Sequence, residues 1–458
     1  MAREMSRRKF LVSASVGLAG MMLAACAPQP APTAVEPVGT PQPTPVEQVG
    51  TPQPVPTQPQ RVTFTMYGHP GMIEEMVPLF NETHPDVEVV FERSEGAGYW
   101  EKLSAAVAAG TAWDCFRIET LQAVTWGPAG TLADIRPFLD ADTTYPADLY
   151  LPGILDTYTV EGSIYGLPTW CLTMWLYYNK KMFDEAGIEY PTPETTWEQY
   201  VEMGKALTKR DAEGRVIQYG TNGWDWWTMP VAQVVWSNGG CFFYNEDLTR
   251  VCVDDPKTVE ALQDIADLIL VHKTNPNPAV PSPAPVGLLS DNVATEANGD
   301  WLPWDNREVF MEKYDYLDAT LCPTRKGKRV NIYWPDGFGI NSASKVKEGA
   351  YKWMSWFAAS PEATAIQCKV VFPVTMRAYE DRSIAEKWLQ PPRPRGMIDL
   401  AMEHKKDARF WRVEGHIPDI NNAYYGEISR LWTGEATAEE VARTIAELAN
   451  KAMQTPIQ

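Results

Sequence analysis

The chain has 458 residues and a net charge of -19, with 59 acidic side chains against 40 basic ones. Such an excess repels nucleic acid, which is therefore excluded as a partner class. Its length exceeds what one hydrophobic core organises, so two lobes or domains are expected.

In chain order, the first signal is an address. Arg3, Arg7, Arg8 and Lys9 precede an almost uncharged run from Phe10 to Ala25, the layout of a signal peptide over residues 1–25. That run is too short and too rich in Ala, Gly and Ser for a membrane span. Ser6-Arg7-Arg8-Lys9-Phe10-Leu11 resembles a twin-arginine export signal, and Leu23-Ala24-Ala25-Cys26 resembles a lipobox, which makes Cys26 the expected lipidation site. Residues 26–60 are rich in Pro, Gln, Thr and Val and repeat Val-Gly-Thr-Pro-Gln-Pro, so they read as a disordered tether. The expected location is the outer face of the cytoplasmic membrane, lipid-anchored. Residues 1–25 carry +3, which leaves the remainder near -22.

Val62 to Met66 reads as a strand, Ile73 to Asn81 as an amphipathic helix, Val87 to Glu92 as a strand, Tyr99 to Ala109 as a helix and Asp114 to Ile118 as a third strand. This alternation predicts an α/β fold with a mainly parallel sheet. Thr173 to Tyr178 and Gly337 to Ile340 read as further short strands. Thr196 with Gln199, and Thr437 with Glu440, are capping boxes, while Asp255-Pro256 and Ser360-Pro361 pair an N-cap with a proline at N1. The last helix is expected to bury Val441, Ile445, Leu448 and Ala449.

Catalytic signatures are absent: no Gly-x-Ser-x-Gly, His-Glu-x-x-His, Walker-type loop or Cys-x-x-Cys occurs. The five histidines lie far apart, so neither a metal site nor a cofactor is expected, and no catalytic residue is assigned. Besides Cys26 there are six scattered cysteines, read either as one or two bridges or as buried thiols, with Cys241 and Cys252 nearest in sequence. The chain carries 18 Trp and 19 Tyr, many beside Gly, Pro and Asn, where exposed aromatic faces suit sugars and other flat ligands.

Ile164-Tyr165-Gly166-Leu167-Pro168, Leu176-Tyr177-Tyr178-Asn179-Lys180-Lys181-Met182-Phe183, Ser237-Asn238-Gly239-Gly240, Asn298-Gly299-Asp300-Trp301 and Gly337-Phe338-Gly339-Ile340-Asn341 follow one another in an order that resembles the family 1 extracellular solute-binding proteins, the sugar-receptor family that includes maltose-binding protein. The ending Gly434-Glu435-Ala436-Thr437 continues the likeness, which covers nearly all of residues 61–458. The resemblance implies a periplasmic-binding-protein-like fold: two α/β lobes joined by a hinge with a ligand cleft between them. Lobe 1 would hold residues 61–172 with a returning segment at about 321–359, and lobe 2 residues 173–320 and 360–458.

It also implies binding residues. Trp301 falls on the family's cleft tryptophan, Tyr424 on its stacking aromatic, and Arg377 on the basic residue after its proline; a salt-bridging arginine is the alternative there. Tyr67 and Glu119 end the first and third strands, where parallel-sheet proteins present ligand groups. Glu119 is read equally as a hydroxyl acceptor or as a solvated loop carboxylate. Trp224, Trp226 and Trp227 form a glycine-flanked cluster without periodicity, favouring at least one of them in the cleft. Trp170, Trp304, Trp334 and Asp336 complete the candidates, whereas Trp197, Trp353, Trp356 and Trp388 sit at helical positions expected to be core.

The function this implies is capture of a mono- or oligosaccharide and its delivery, by a monomeric binder, to the transmembrane permease subunits of an ABC importer. The competing readings are a tethered carbohydrate-active hydrolase or lyase, a binder of a peptide or polyamine, and a receptor that signals.

Overall fold

The computed structural model describes residues 58–455, apart from 95, 97, 226, 279 and 283. The expected signal peptide, Cys26 and most of the expected tether therefore lie outside the described residues. The strands are β1 (Gln60–Met66), β2 (Val87–Arg93), β3 (Cys115–Glu119), β4 (Thr159–Val160), β5 (Ser163–Ile164), β6 (Leu167–Asn179), β7 (Lys209–Arg210), β8 (Val216–Gln218), β9 (Thr295–Gly299), β10 (Leu317–Thr320), β11 (Asn331–Ile340) and β12 (Ala408–Phe410). Helices fill the intervals, from Pro70–Thr83 to Ala438–Ala452.

Eight strands form the main sheet, along the path β10-β6-β11-β3-β1-β2, with β12 beside β11 and β9 beside β6. β1 pairs in parallel with β2 and β3, as the opening strand-helix alternation predicts. The sheet is mixed rather than mainly parallel, because β6 and β11 run antiparallel to their principal neighbours. These two strands also change partners along their length. β6 pairs with β11 as far as Thr173, then with β9 from Met174 and with β10 from Leu176. One strand thus carries the chain from one group of strands to another, and its burial at 12 of 13 positions explains its continuous apolar run.

The described residues hold two large hydrophobic cores, and β6 feeds both, with Trp175 and Tyr177 in the first and Met174 and Leu176 in the second. The first gathers Val62, Phe64 and Met66 of β1, Phe338 of β11 and Trp353 and Phe357 of the helix Lys347–Ala359. Ala363, Ile366, Trp388, Met397 and Ala401, from the helices after Ser360, join it. The second is built from the helices Trp197–Leu207, Thr228–Ser237, Pro256–Leu270, Ile417–Trp432 and Ala438–Ala452.

Local signals act as expected. Thr196 Oγ1 accepts from the Gln199 N–H at 3.3 Å, and Thr437 Oγ1 from the Glu440 N–H at 3.2 Å. The Asp255 side chain accepts from Lys257 and the Ser360 side chain from Ala363. In the last helix Leu448 is exposed, a correction. The buried set Ala438, Val441, Ala442, Ile445, Ala446 and Ala449 turns the stripe to the other side of Val441 and Ile445. Cys241 and Cys252 form a disulfide, while Cys115, Cys171, Cys322 and Cys368 are buried free thiols.

Candidate functional site

Three neighbouring strands bring their polar side chains to one level. In the antiparallel ladders Asp336 of β11 stands opposite Glu119 of β3 and Trp170 of β6. Arg117, two residues before Glu119, shares its face by strand alternation. The Arg117 guanidinium donates from Nε to Asp336 Oδ1 (3.2 Å), from one terminal nitrogen to Asp336 Oδ2, and from the other to the Tyr67 carbonyl (3.2 Å). The Tyr67 ring lies 4.0 Å from its centre and the Trp170 ring 5.4 Å. Arg117 is 5% exposed and Asp336 0%, so each charge persists because the other neutralises it.

Burial raises the Asp336 carboxyl above the usual range, with Arg117 opposing it. For Arg117 desolvation acts downward, but Asp336 and Tyr67 outweigh it and its pKa is raised. Half-buried Glu119 is pushed up to about 7, first by desolvation and then by the negative charge of Asp336, against Arg117. Desolvation likewise takes the Tyr67 phenol to about 12. His69, in a left-handed turn at the end of the same loop, has Nδ1 3.6 Å from Asp305 Oδ1.

Beyond Asp336 along β11 stands an aromatic wall. Trp334 is half-buried and stacks on Trp411, with ring centroids 4.7 Å apart and planes at 16°. Half-buried Trp227 meets Trp334 at 5.0 Å and half-buried Trp301 at 6.2 Å. Two glycines make this arrangement possible. A Cβ on Gly299 would lie 2.0 Å from the Trp301 ring. Gly223, at φ +93°, presses its loop onto β9, where a Cβ would lie 2.1 Å from the Ala297 carbonyl oxygen.

Residues 69–364 match the family model described as bacterial extracellular solute-binding protein. The chain belongs to this family. Among curated relatives, an arabinooligosaccharide-binding protein of Halalkalibacterium halodurans is 33% identical over 127 residues, 28% of this chain and 26% of that protein. This chain therefore spans about a quarter of that relative's length. The sn-glycerol-3-phosphate-binding periplasmic protein of Agrobacterium fabrum is 28% identical over 84% of this chain and 89% of its own. Among solved structures, an ABC substrate-binding protein from Listeria monocytogenes in complex with cycloalternan superposes with a TM-score of 0.75 at 24% identity, covering 87% of this chain and 100% of that one. The shared fold is the two-lobed, maltose-binding-protein-like one. Among the described residues no helix is long and apolar enough to cross a membrane.

Within this solute-binding protein, Tyr67, Glu119 and Asp336 come together around Arg117, and Trp227, Trp301 and Trp334 form the adjoining wall. Trp170 lies against Arg117 but is fully buried in the first core, which corrects its expected place among the ligand contacts. Trp226 lies outside the described residues. Trp304 is half-buried against the first core, with the Arg307 guanidinium 5.0 Å from its ring.

Three candidates fall elsewhere, for identifiable reasons. Trp224 is 1% exposed, and its Nε1 donates to the Tyr200 hydroxyl at 2.9 Å; a loop residue reached the core without needing helical periodicity. Tyr424 is 2% exposed and packs edge-on against Phe242 and Phe243. It continues the stripe Ile417, Ile420, Tyr424, Ile428 and Leu431, which turns its neighbour Tyr425 outward. Arg377 is exposed and pairs with Asp381 at 3.9 Å.

Arg117 and Tyr425 are the members that sequence reasoning missed. Tyr425 is 44% exposed, and its phenol is raised first by desolvation, with the charge of Glu119 adding to it. The helical stripe could have revealed Tyr425. Arg117 carried no signal, since a single arginine inside a strand looks like an exposed one.

Proposed function

We propose that this protein captures a carbohydrate, a mono- or oligosaccharide, outside the cell and delivers it to the permease subunits of an ABC importer. The observation that carries the reading is the half-buried wall of Trp227, Trp301 and Trp334, two residues along β11 from the level where Asp336 pairs with Glu119. Aromatic faces hold the apolar faces of a sugar, and carboxylate oxygens accept its hydroxyl protons. The sugar-binding relatives and neighbours support it. Asp336 cannot act as the second carboxylate of a glycosidase beside Glu119, because it has no exposed surface and is engaged by Arg117. Two lobes would close over the solute with β6 and β11 as crossovers, and the closed form would be the one the permease receives. Cys26 would carry the lipid that keeps this monomeric receptor near its permease; a Cys26→Ser chain is expected in the medium rather than in the membrane fraction. The test of capture is a thermal-shift screen against sugars. A true ligand at about 100 times its dissociation constant adds ~2.7 kcal/mol of stability. Silence across mono- and oligosaccharides would remove the carbohydrate reading.

A further inference from the structure

Resting on that reading, we infer that the cleft selects by charge, favouring a cationic amino sugar over its neutral counterpart and rejecting phosphorylated solutes. The cation in the polar row is already occupied. Arg117 is the arginine nearest the polar row, and its guanidinium is satisfied in three directions by Asp336 and the Tyr67 carbonyl. Aromatic rings also lie against it at 4.0 Å and 5.4 Å. Among the 5% of its surface that remains there is no place for a phosphate without breaking a buried ion pair.

The titratable group left to face a ligand is the Glu119 carboxyl, which desolvation holds partly protonated near pH 7 and which a neighbouring cation would ionise. Glu119 is half-buried, shares a capping box with Gln122 at the start of the helix Thr120–Trp126, and enters no ion pair among the described residues; Arg117, two residues before it, is tied to Asp336 instead. An ammonium group next to Glu119 would replace the repulsion from Asp336 with an attraction. The half-buried faces of Trp227, Trp301 and Trp334, together with exposed Tyr425, offer the electron-rich surfaces on which cations rest. A phosphate beside Glu119 would meet a carboxyl whose neighbouring guanidinium, Arg117, is already bound to Asp336. That the Agrobacterium fabrum relative takes sn-glycerol 3-phosphate makes this a divergence within one family. The net charge of -19 acts in the same direction at long range, drawing cations toward the molecule.

The test uses the full chain and a matched set of probes in titration calorimetry: glucosamine oligomers, their N-acetylated neutral forms, glucose 6-phosphate, sn-glycerol 3-phosphate and spermidine. Glucosamine oligomers are expected to bind about tenfold tighter than the acetylated forms, with no heat from either phosphate. Their advantage should collapse between about 0.01 M and about 1 M salt, as the Debye length falls from ~30 Å to ~3 Å. Glu119→Gln should remove most of the difference between cationic and neutral members. If that variant does not fold, the salt dependence of the parent chain still decides. Neutral sugars binding as tightly as cationic ones, or either phosphate binding, overturns the charge selection and leaves sugar capture standing. Spermidine binding while every sugar is silent overturns the carbohydrate reading and the amino-sugar assignment that rests on it. Silence from all probes overturns both.

Discussion

The polar row and the tryptophan wall adjoin on β11, where Trp334 and Asp336 are two residues apart, yet they are held in different ways. Glu119, Asp336 and Trp170 are fixed by hydrogen-bonded register across three strands. Trp227 and Trp301 come instead from the N-cap of the helix Thr228–Ser237 and from the turn after β9. Register leaves a charge no freedom to drift, which suits a buried pair that must meet its partner. Loop and cap positions can change without disturbing the sheet, which suits surfaces that set specificity. Breaking the row should therefore damage stability first, whereas breaking the wall should damage binding first.

Asp336→Ala is the severest expected break, because it leaves the Arg117 guanidinium buried without its anion. The loss should be about 3–5 kcal/mol, read as a drop in the urea midpoint. Replacing both partners with apolar residues of similar volume should recover much of it. A stable Asp336→Ala chain would mean that Arg117 escapes to water and that the row is not fixed as described.

The join between the two regions sharpens the comparison through pH. The Thr173 N–H of β6 donates to Asp300 Oδ1 at 2.9 Å, and His404 Nε2 lies 3.0 Å from the next carbonyl, that of Met174. Desolvation pushes Asp300 up to about 7, with Arg393 opposing, and pulls His404 down to about 3. For Asp300 the native state holds the proton longer than the unfolded chain, so its contribution falls as pH rises from about 4 to about 7. For His404 the contribution is present above about pH 6.5 and is lost as pH falls toward 3. The slopes oppose each other between about pH 4 and about pH 6.5. Asp300→Asn should leave a stability curve that rises more steeply with pH, by up to ~1.4 kcal/mol per pH unit. Parallel urea-midpoint profiles for Asp300→Asn and the parent chain would show that Asp300 titrates normally.

The same contrast explains what was readable in the sequence. Capping boxes, N1 prolines and the opening strand-helix alternation are local, so the Thr196, Asp255, Ser360 and Thr437 helix starts and the parallel set β1–β3 were legible. The antiparallel course of β6 and β11 was not, because direction within a sheet depends on where distant segments return. Trp301 and Trp334 were legible as aromatics beside Gly and Pro. The same cue pointed wrongly to Trp224, since ten of the 17 described tryptophans are buried and neighbouring residue type does not report depth. The Arg117–Asp336 pair joins residues 219 apart in sequence, and no local pattern encodes it.

Adjacent tyrosines on one helix divide the two effects further. Tyr425→Ala should weaken ligand affinity about tenfold, ~1.4 kcal/mol, with a melting temperature close to the parent's. Tyr424→Ala should do the reverse, lowering the melt by emptying the space against Phe242 and Phe243. Equal affinity losses in both variants would mean that Tyr424 reaches the solute in the closed form.

Arg377→Ala is expected to have the smallest effect. The resemblance to the sugar receptors places this residue among the ligand donors, but its side chain is 52% exposed and its partner Asp381 lies 3.9 Å away. Exposed pairs of this kind contribute about 0–1 kcal/mol, and water takes over the contacts when they are removed. The variant should melt with the parent chain and bind the same solute with unchanged affinity, as measured by calorimetry. An affinity loss of about tenfold without a change in melting would instead bring Arg377 into the cleft on closure, making the binding surface extend beyond the row and the wall.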